Sequence, residues 1–289
     1  MIRRRASRTA PLVTMVRAVA NAGITEVREF SDPTALPLLP LGWRLVTRLA
    51  VRGLTRNPQA RARVFEGSKG SFDVIALRTR VFDEAWHAAR AAGTRQLVLL
   101  GAGLDGRAFR LGDLDDVVVF EVDHPATQAV KRARARGLVA KATKHVYVGV
   151  DFERDRLDEA LAAAGQDATR PTFWIWEGVT PYLTADAQRA TLAAVARRSA
   201  PGSGLAVEYI EPGGPGDDER LPRLFGEPWI GLQTRAEAAA RLAEADFTTI
   251  EDTGVPEWRA RFSAGPPRDD KRRHRIAVAR LALSREEER

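Results

Sequence analysis

Gln96-Leu97-Val98-Leu99-Leu100, running straight into Gly101-Ala102-Gly103-Leu104-Asp105-Gly106, decides the architecture of this 289-residue chain. A short apolar run stopped by a glycine has no polar face, so it reads as a strand buried on both sides. Similar runs recur at 117–122, 146–150, 173–176 and 205–210, interleaved with helical stretches such as 126–136, 154–164 and 185–198. Alternation of this kind implies a parallel sheet covered by helices on both faces. After a helix at 235–245, segments 247–251 and 276–283 can add two last strands, with 269–275 as a charged turn before the second. The expected fold is α/β, Rossmann-like and doubly wound, with a mostly parallel seven-stranded sheet.

Upstream of Gln96 the rhythm is helical. Leu12, Val13, Val16, Val19 and Ala20 recur at helix spacing, Ser31-Asp32-Pro33 marks a turn, Pro37 and Pro40 interrupt, and 41–54 and 61–92 resume the pattern. This divides the chain into an N-terminal helical lid over 1–92 and an α/β domain over 93–289, with a glycine- and proline-rich insertion near 211–235.

Charge is uneven along the chain. Residues 1–63 hold 12 arginines against Glu26, Glu29 and Asp32, a net +9, while the remaining 226 residues sum to −2. A basic balance of this kind raises nucleic acid as a partner, but phosphate neutralisation needs cations aligned over a folded face, and here they are confined to one segment. Two readings stay open: a solvated arm, as at Arg3-Arg4-Arg5, or arginines facing an anionic substrate, with Arg17 the first candidate. The longest stretch without Asp, Glu, Lys or Arg is the 11 residues 33–43, too short to span a bilayer. The absence of cysteine excludes disulfides and thiolate metal sites, and a reducing cytoplasm is the simplest setting. The expected partner is a small-molecule acceptor, with no metal, nucleic acid or membrane involved.

In an open α/β sheet ligands bind beyond the carboxyl ends of the strands. Those ends present Gly101 and Gly103, then Glu121-Val122-Asp123, then Asp151-Phe152, then Trp174-Ile175-Trp176-Glu177-Gly178. Glycines allow close backbone approach, an acid about 20 residues on can accept from both hydroxyls of a ribose, and a carboxylate beside an aromatic ring suits a purine amino group. Asp123 and Asp151 can equally cap helices, and the tryptophans can simply pack. Together the tips lay out a site for an adenosine-containing cofactor. Two such cofactors compete, a nicotinamide dinucleotide, which would make the chain an oxidoreductase using Gly101-x-Gly103-x-x-Gly106, and S-adenosylmethionine.

The stretch from Leu100 to Leu111 (LGAGLDGRAFRL), followed by Phe120-Glu121-Val122-Asp123-His124-Pro125 and Glu177-Gly178-Val179-Thr180-Pro181-Tyr182-Leu183, resembles the leucine carboxyl methyltransferase-like family of class I S-adenosylmethionine-dependent methyltransferases. Ser7-Arg8-Thr9-Ala10, Arg17-Ala18, Phe30-Ser31-Asp32-Pro33 and Ala76-Leu77-Arg78-Thr79-Arg80 resemble its bacterial branch, which includes small-molecule O-methyltransferases. The resemblance covers about Ser7 to Tyr209, departs from the family at Gly106, where threonine is more often found, and does not extend to 212–231. It implies that Gly101 and Gly103 line the methionine part, Asp123 holds the ribose, Asp151 and Phe152 bind adenine, Glu177 contacts the amino-acid end and Arg78 anchors its carboxylate, with Arg80 an alternative donor. The activity implied is methyl transfer to a carboxylate or hydroxyl oxygen of a small, anionic acceptor. No catalytic base is assigned, and Tyr182 is read as packing.

Overall fold

The apolar runs form one sheet of β1 (Gln96–Leu100), β2 (Val118–Asp123), β3 (Lys144–Gly149), β4 (Thr172–Trp176), β5 (Gly204–Ile210), β6 (Phe247–Gly254) and β7 (His274–Leu281), in the spatial order β3-β2-β1-β4-β5-β7-β6. The computed structural model describes residues 7–67, 71–213, 223–263, 265 and 273–282. Strands β3 to β5 pair in parallel, and β7 runs antiparallel between β5 and β6. The chain winds outward from β1 through β2 to β3 and then returns to β4 on the other side of β1. Strand order therefore reverses between β1 and β4, where a crevice must open at the strand ends.

Side-chain alternation sorts the strands between two cores. Leu97, Leu99, Val119, Phe173 and Ile175 point to one face, under Leu77, Phe82 and Trp86 of α5 (Ser71–Ala91) and Trp258 of α11 (Val255–Phe262). Val98, Leu100, Phe120, Trp174, Trp176 and Leu205 point to the other, under α8 (Leu157–Ala163), α9 (Ala185–Arg197) and α10 (Arg235–Glu244). Both faces of the central strands are thus dry, which is why their sequences read as unbroken apolar runs.

Between β1 and β3 lie the short α6 (Arg107–Arg110) and α7 (Pro125–Arg134). The N-terminal region supplies α1 (Ala10–Asn21), α2 (Ala35–Leu38), α3 (Leu41–Arg56) and α4 (Pro58–Gly67) before α5. Ala20 of α1 and Leu38 of α2 join the core under α5, so the first helices are fastened to the sheet through α5.

Among the strand boundaries that differ from expectation, two show why. β6 continues past Glu251 to Gly254 because its ladder with β7 pairs Asp252, Thr253 and Gly254 with Ala277, Ile276 and Arg275, although those side chains are polar. β7 begins at His274, two residues early, since His274 and Arg275 pair with Ile210 and Tyr209. Of the expected turn at 269–275 and the insertion near 211–235, residues 269–272 and 214–222 lie outside the described residues.

Candidate functional site

The glycine turn after β1 is shaped by close approach. Gly101 takes a φ of +68°, where side chains are strained, and a Cβ there would overlap Val179 of the loop after β4. Asp123, at the tip of β2, accepts from the Gly103 backbone N–H and, at 2.6 Å, from that of His124, so one carboxylate ties the turn to the neighbouring strand. Burial raises the Asp123 pKa to about 6 against the lowering effect of these two N–H donors. The cap of α7 is His124, whose Nδ1 accepts from the Ala126 N–H at 3.2 Å, which gives His124 a structural role and leaves Asp123 facing the crevice.

Gly106 serves a different purpose. Its φ is −102°, but a Cβ there would overlap Thr34 Oγ1, so the glycine makes room for the segment before α2. The turn offers no cradle for a pyrophosphate. Asp105 Oδ1 already accepts from the Arg107 N–H at 2.7 Å, placing a carboxylate where an anionic ligand would meet α6, and α6 has only four residues. This geometry removes the basis for the dinucleotide reading.

Beneath the crevice lies a buried charge network. The Arg78 guanidinium, from α5, donates through Nε to Glu177 Oε1 at 2.9 Å and through NH1 to Glu208 of β5 at 3.0 Å. Glu208 also accepts from the Gly178 N–H at 2.7 Å and lies 2.7 Å from His274 Nδ1. Burial opposes its charge, but Arg78 and His274 outweigh burial and hold the carboxyl at about 2. Arg107 is fully buried, donating to Asp83 at 2.8 Å, to Glu177 Oε2 at 2.6 Å and to Asp105. Burial would lower its pKa, and the three carboxylates more than reverse that. Glu177 is therefore gripped by two guanidiniums and held at the crevice floor.

Above the crevice sits α1. Glu227, nearly fully buried, accepts from the backbone N–H groups of Arg8 at 2.9 Å and Thr9 at 3.2 Å and from the Thr9 hydroxyl, clasping the start of α1. Arg17 pairs with Asp32 at 3.2 Å and donates to the Leu104 carbonyl at 2.7 Å. Its guanidinium ties α1 to the glycine turn, so it acts as a clamp and is not held ready for an anionic substrate.

These elements enclose a cavity of about 440 Å³, within the range of small-ligand sites. All seven site residues expected from the sequence line it: Arg78, Gly101, Gly103, Asp123, Asp151, Phe152 and Glu177. Asp151 closes a local turn by accepting from the Glu153 N–H at 3.2 Å; α8 starts only at Leu157, so Asp151 is not its cap. Arg80 lies elsewhere, reaching the Glu29 carbonyl at 3.3 Å and covering the Phe262 ring. Trp174 and Trp176 are fully buried in the core under α9, with Trp174 Nε1 donating to Ser199 at 2.9 Å, so packing is their role. Glu121 is buried and paired with Lys131 at 2.5 Å and His145 at 3.1 Å, away from the cavity.

Arg107, Glu208 and Glu227 were not expected. A signal existed for Glu208, because a lone acid inside the apolar run Leu205-Ala206-Val207-Glu208-Tyr209-Ile210 must find a buried cation. The wall presents Asp105, Asp123, Asp151, Glu153, Glu177 and Glu227 against Arg17 and Arg78. It is acidic, and of the N-terminal arginines described only Arg17 reaches it, so the +9 segment gives no support to an anionic acceptor. An acidic wall does suit a cationic ligand.

The leucine carboxyl methyltransferase family profile matches residues 10–196, more than half of the chain. A Mycolicibacterium gilvum relative named as an S-adenosyl-L-methionine-dependent methyltransferase is 41% identical over 276 residues, covering 90% of this chain and 88% of its own. A Mycobacterium sp. (strain JLS) protein with the same name is 38% identical over 271 residues, covering 86% and 85%. Among solved structures, a methyltransferase from Thermobifida fusca aligns over 96% of both chains at 18% identity with a TM-score of 0.59. A DUF574 family protein from Streptomyces avermitilis aligns over 95% of this chain and 97% of its own at 17% identity with a TM-score of 0.60. At those identities the structures speak for the fold alone. The sequence relatives and the family profile say more: this chain belongs to the leucine carboxyl methyltransferase family and is a methyltransferase that uses S-adenosyl-L-methionine.

Proposed function

We propose that the chain methylates an oxygen atom of a small acceptor held between the glycine turn and the start of α1. The observation that carries this reading is the acidic, strand-tip cavity in which every residue expected to hold the cofactor converges. The donor set fits. Asp123 faces the crevice as an acceptor for ribose hydroxyls, Asp151 and Phe152 offer a carboxylate and a ring for adenine, and Gly101 and Gly103 let the chain approach the methionine part. Arg78 keeps its second terminal nitrogen, NH2, free of protein partners among the described residues and so can receive a carboxylate. Glu177, immobilised by Arg78 and Arg107, can accept from an ammonium group.

When bound, the cofactor supplies a methyl group on a cationic sulfur. What the chain contributes is alignment of the acceptor oxygen and exclusion of water, and positioning of this kind can supply much of the barrier reduction. The acceptor end is bounded by Ser7, Thr9, Val13, Tyr182, Glu227 and Ile230. Burial raises the Tyr182 pKa against the lowering effect of hydrogen bonds with Trp229 and Thr9, which disfavours a phenolate there. With six acids on the wall, a neutral hydroxyl is favoured over a carboxylate, which replaces the anionic acceptor expected from the charge split.

Calorimetric titration with S-adenosylhomocysteine, followed by a methyl-transfer screen over phenols, alcohols, carboxylates, amines and thiols, tests both halves. Tight binding and O-methylated phenol or alcohol are expected. Methylation confined to nitrogen or sulfur acceptors overturns the oxygen assignment.

A further inference from the structure

The acid-free stretch 33–65 carries six arginines, Arg44, Arg48, Arg52, Arg56, Arg61 and Arg63, and the cavity uses none of them. Its centre is α3, a 16-residue helix whose only buried residue is Thr47. Opposite Thr47 the helix exposes Leu41 (72%), Leu45 (60%) and Leu49 (62%), with Val46 beside them (57%). At four-residue spacing the three leucines form one stripe. Seven residues further on along the same face stand Arg48, Arg52 and Arg56, exposed and without an ion pair among the described residues. Arg44 differs, since it donates back to the Pro37 carbonyl.

Unpaired arginines one turn apart beside protruding leucines demand a partner that is both anionic and apolar. A second copy of this face does not qualify, because it would set arginine against arginine with no carboxylate in 33–65 to relieve the repulsion. Duplex nucleic acid satisfies the arginines and leaves the leucines in water. The face is one convex helix, so it offers no groove to receive a partner's side chain. A fluid surface that admits protruding leucines and presents mobile phosphates at any spacing meets every feature.

We propose that α3 seats the enzyme on an anionic lipid surface, the leucines entering the headgroup boundary and Arg48, Arg52 and Arg56 meeting lipid phosphates. The proposal departs from the expectation that no membrane takes part. The described residues include no helix long and apolar enough to cross a bilayer, so the association is peripheral. It is independent of which acceptor the cavity takes.

Sedimentation of the full chain with phosphatidylcholine vesicles, with and without phosphatidylglycerol, tests the proposal. Binding is expected only to the anionic vesicles and is expected to fall with salt. Arg48→Gln, Arg52→Gln and Arg56→Gln together should weaken it roughly 100-fold, at about fivefold per arginine. Leu45→Gln with Leu49→Gln should weaken it roughly tenfold. Both variants change exposed side chains and should keep wild-type affinity for S-adenosylhomocysteine, which distinguishes lost docking from lost folding. Failure to sediment with anionic vesicles overturns the proposal, as does equal binding to both lipid compositions. Salt-sensitive binding to duplex DNA without vesicle binding would assign the face to nucleic acid. A dimer abolished by the leucine changes, again without vesicle binding, would assign it to a second copy.

Discussion

The two walls of the cavity are built in opposite ways. On the sheet side, Arg78, Arg107 and Arg110 interlock with Asp83, Asp105, Glu177 and Glu208 through bonds of 3.0 Å or less, and each is rooted in a strand end or in a turn or helix packed on the sheet. On the N-terminal side, the start of α1 is held mainly by one carboxylate, Glu227, which accepts from backbone groups of Arg8 and Thr9. The first wall is rigid because removing any member strands a buried charge. The second is looser at its start, where a few hydrogen bonds that water can also satisfy hold the chain, while Arg17 clamps the helix further along. A transferase that must exchange both cofactor and acceptor needs one wall of each kind.

The largest effect should come from breaking the rigid wall at its centre. Arg107→Met leaves Asp83, Asp105 and Glu177 facing one another without their shared cation, and loss of one partner from a buried network costs about 3–5 kcal/mol. Urea denaturation measures it. A loss below about 1 kcal/mol would mean that the carboxylates find other partners and that the wall is not built around Arg107.

Asp123 probes the same wall through pH. Its folded pKa of about 6 lies above that of an exposed carboxyl, so the protonated form favours the folded, ligand-free protein. That stabilisation is complete below the ordinary carboxylate range and is lost as pH rises through about 6. Ribose hydroxyls, in contrast, donate best to the ionised form. Across that interval thermal stability of the free protein should fall while affinity for S-adenosylhomocysteine rises. Lys131 and Glu121 also act on Asp123, but they oppose each other. Asp123→Asn should flatten both curves and weaken affinity roughly 10- to 100-fold, since an amide nitrogen cannot accept from both N–H groups and the ribose. Curves that stay pH-dependent in this variant would move the titration to another group.

The N-terminal wall should respond in kinetics and hardly at all in cofactor affinity. Glu227→Gln removes the charge that clasps Arg8 and Thr9, and the expected result is an acceptor KM raised about tenfold. S-adenosylhomocysteine affinity should stay within about twofold, because the residues expected to hold it lie on the sheet side. If both fall together, α1 contributes to holding the cofactor and the contrast between the walls fails.

The difference between the walls also explains what could be read from the sequence. The sheet strands are legible because burial on both faces forces continuous apolar runs, and the strand tips follow from topology. Gly101, Gly103, Asp123, Asp151, Phe152 and Glu177 were accordingly legible as strand-tip residues, and all of them line the cavity. Glu227 could not be found, since it meets residues 218 and 219 positions away and no local pattern marks it. Arg107 was hidden for another reason. In Gly106-Arg107-Ala108-Phe109-Arg110 it sits in what looks like an exposed turn, and only the fold brings Asp83 and Glu177 to it. Gly106 shows the reverse failure, a legible glycine with the wrong explanation. It completed a phosphate-binding pattern by sequence, whereas in space it accommodates Thr34.

The smallest expected effect separates two arginines that sequence alone left equivalent. Arg78 and Arg80 are two residues apart on α5, hence about 200° apart around the helix, and cannot serve the same site. Arg78 turns inward to Glu177 and Glu208, while Arg80 reaches the Glu29 side chain at 3.7 Å, an exposed partner that contributes little. Arg80→Gln should therefore leave S-adenosylhomocysteine affinity within about twofold and stability within about 1 kcal/mol. Arg78→Lys, which keeps the charge, should still weaken binding roughly tenfold, because an ammonium cannot span Glu177 and Glu208 and also face a ligand carboxylate. Calorimetry on the two variants side by side decides the matter. Were Arg80→Gln the more damaging, the carboxylate anchor would have to lie outside the cavity floor, and the buried network around Arg78 would be scaffolding alone.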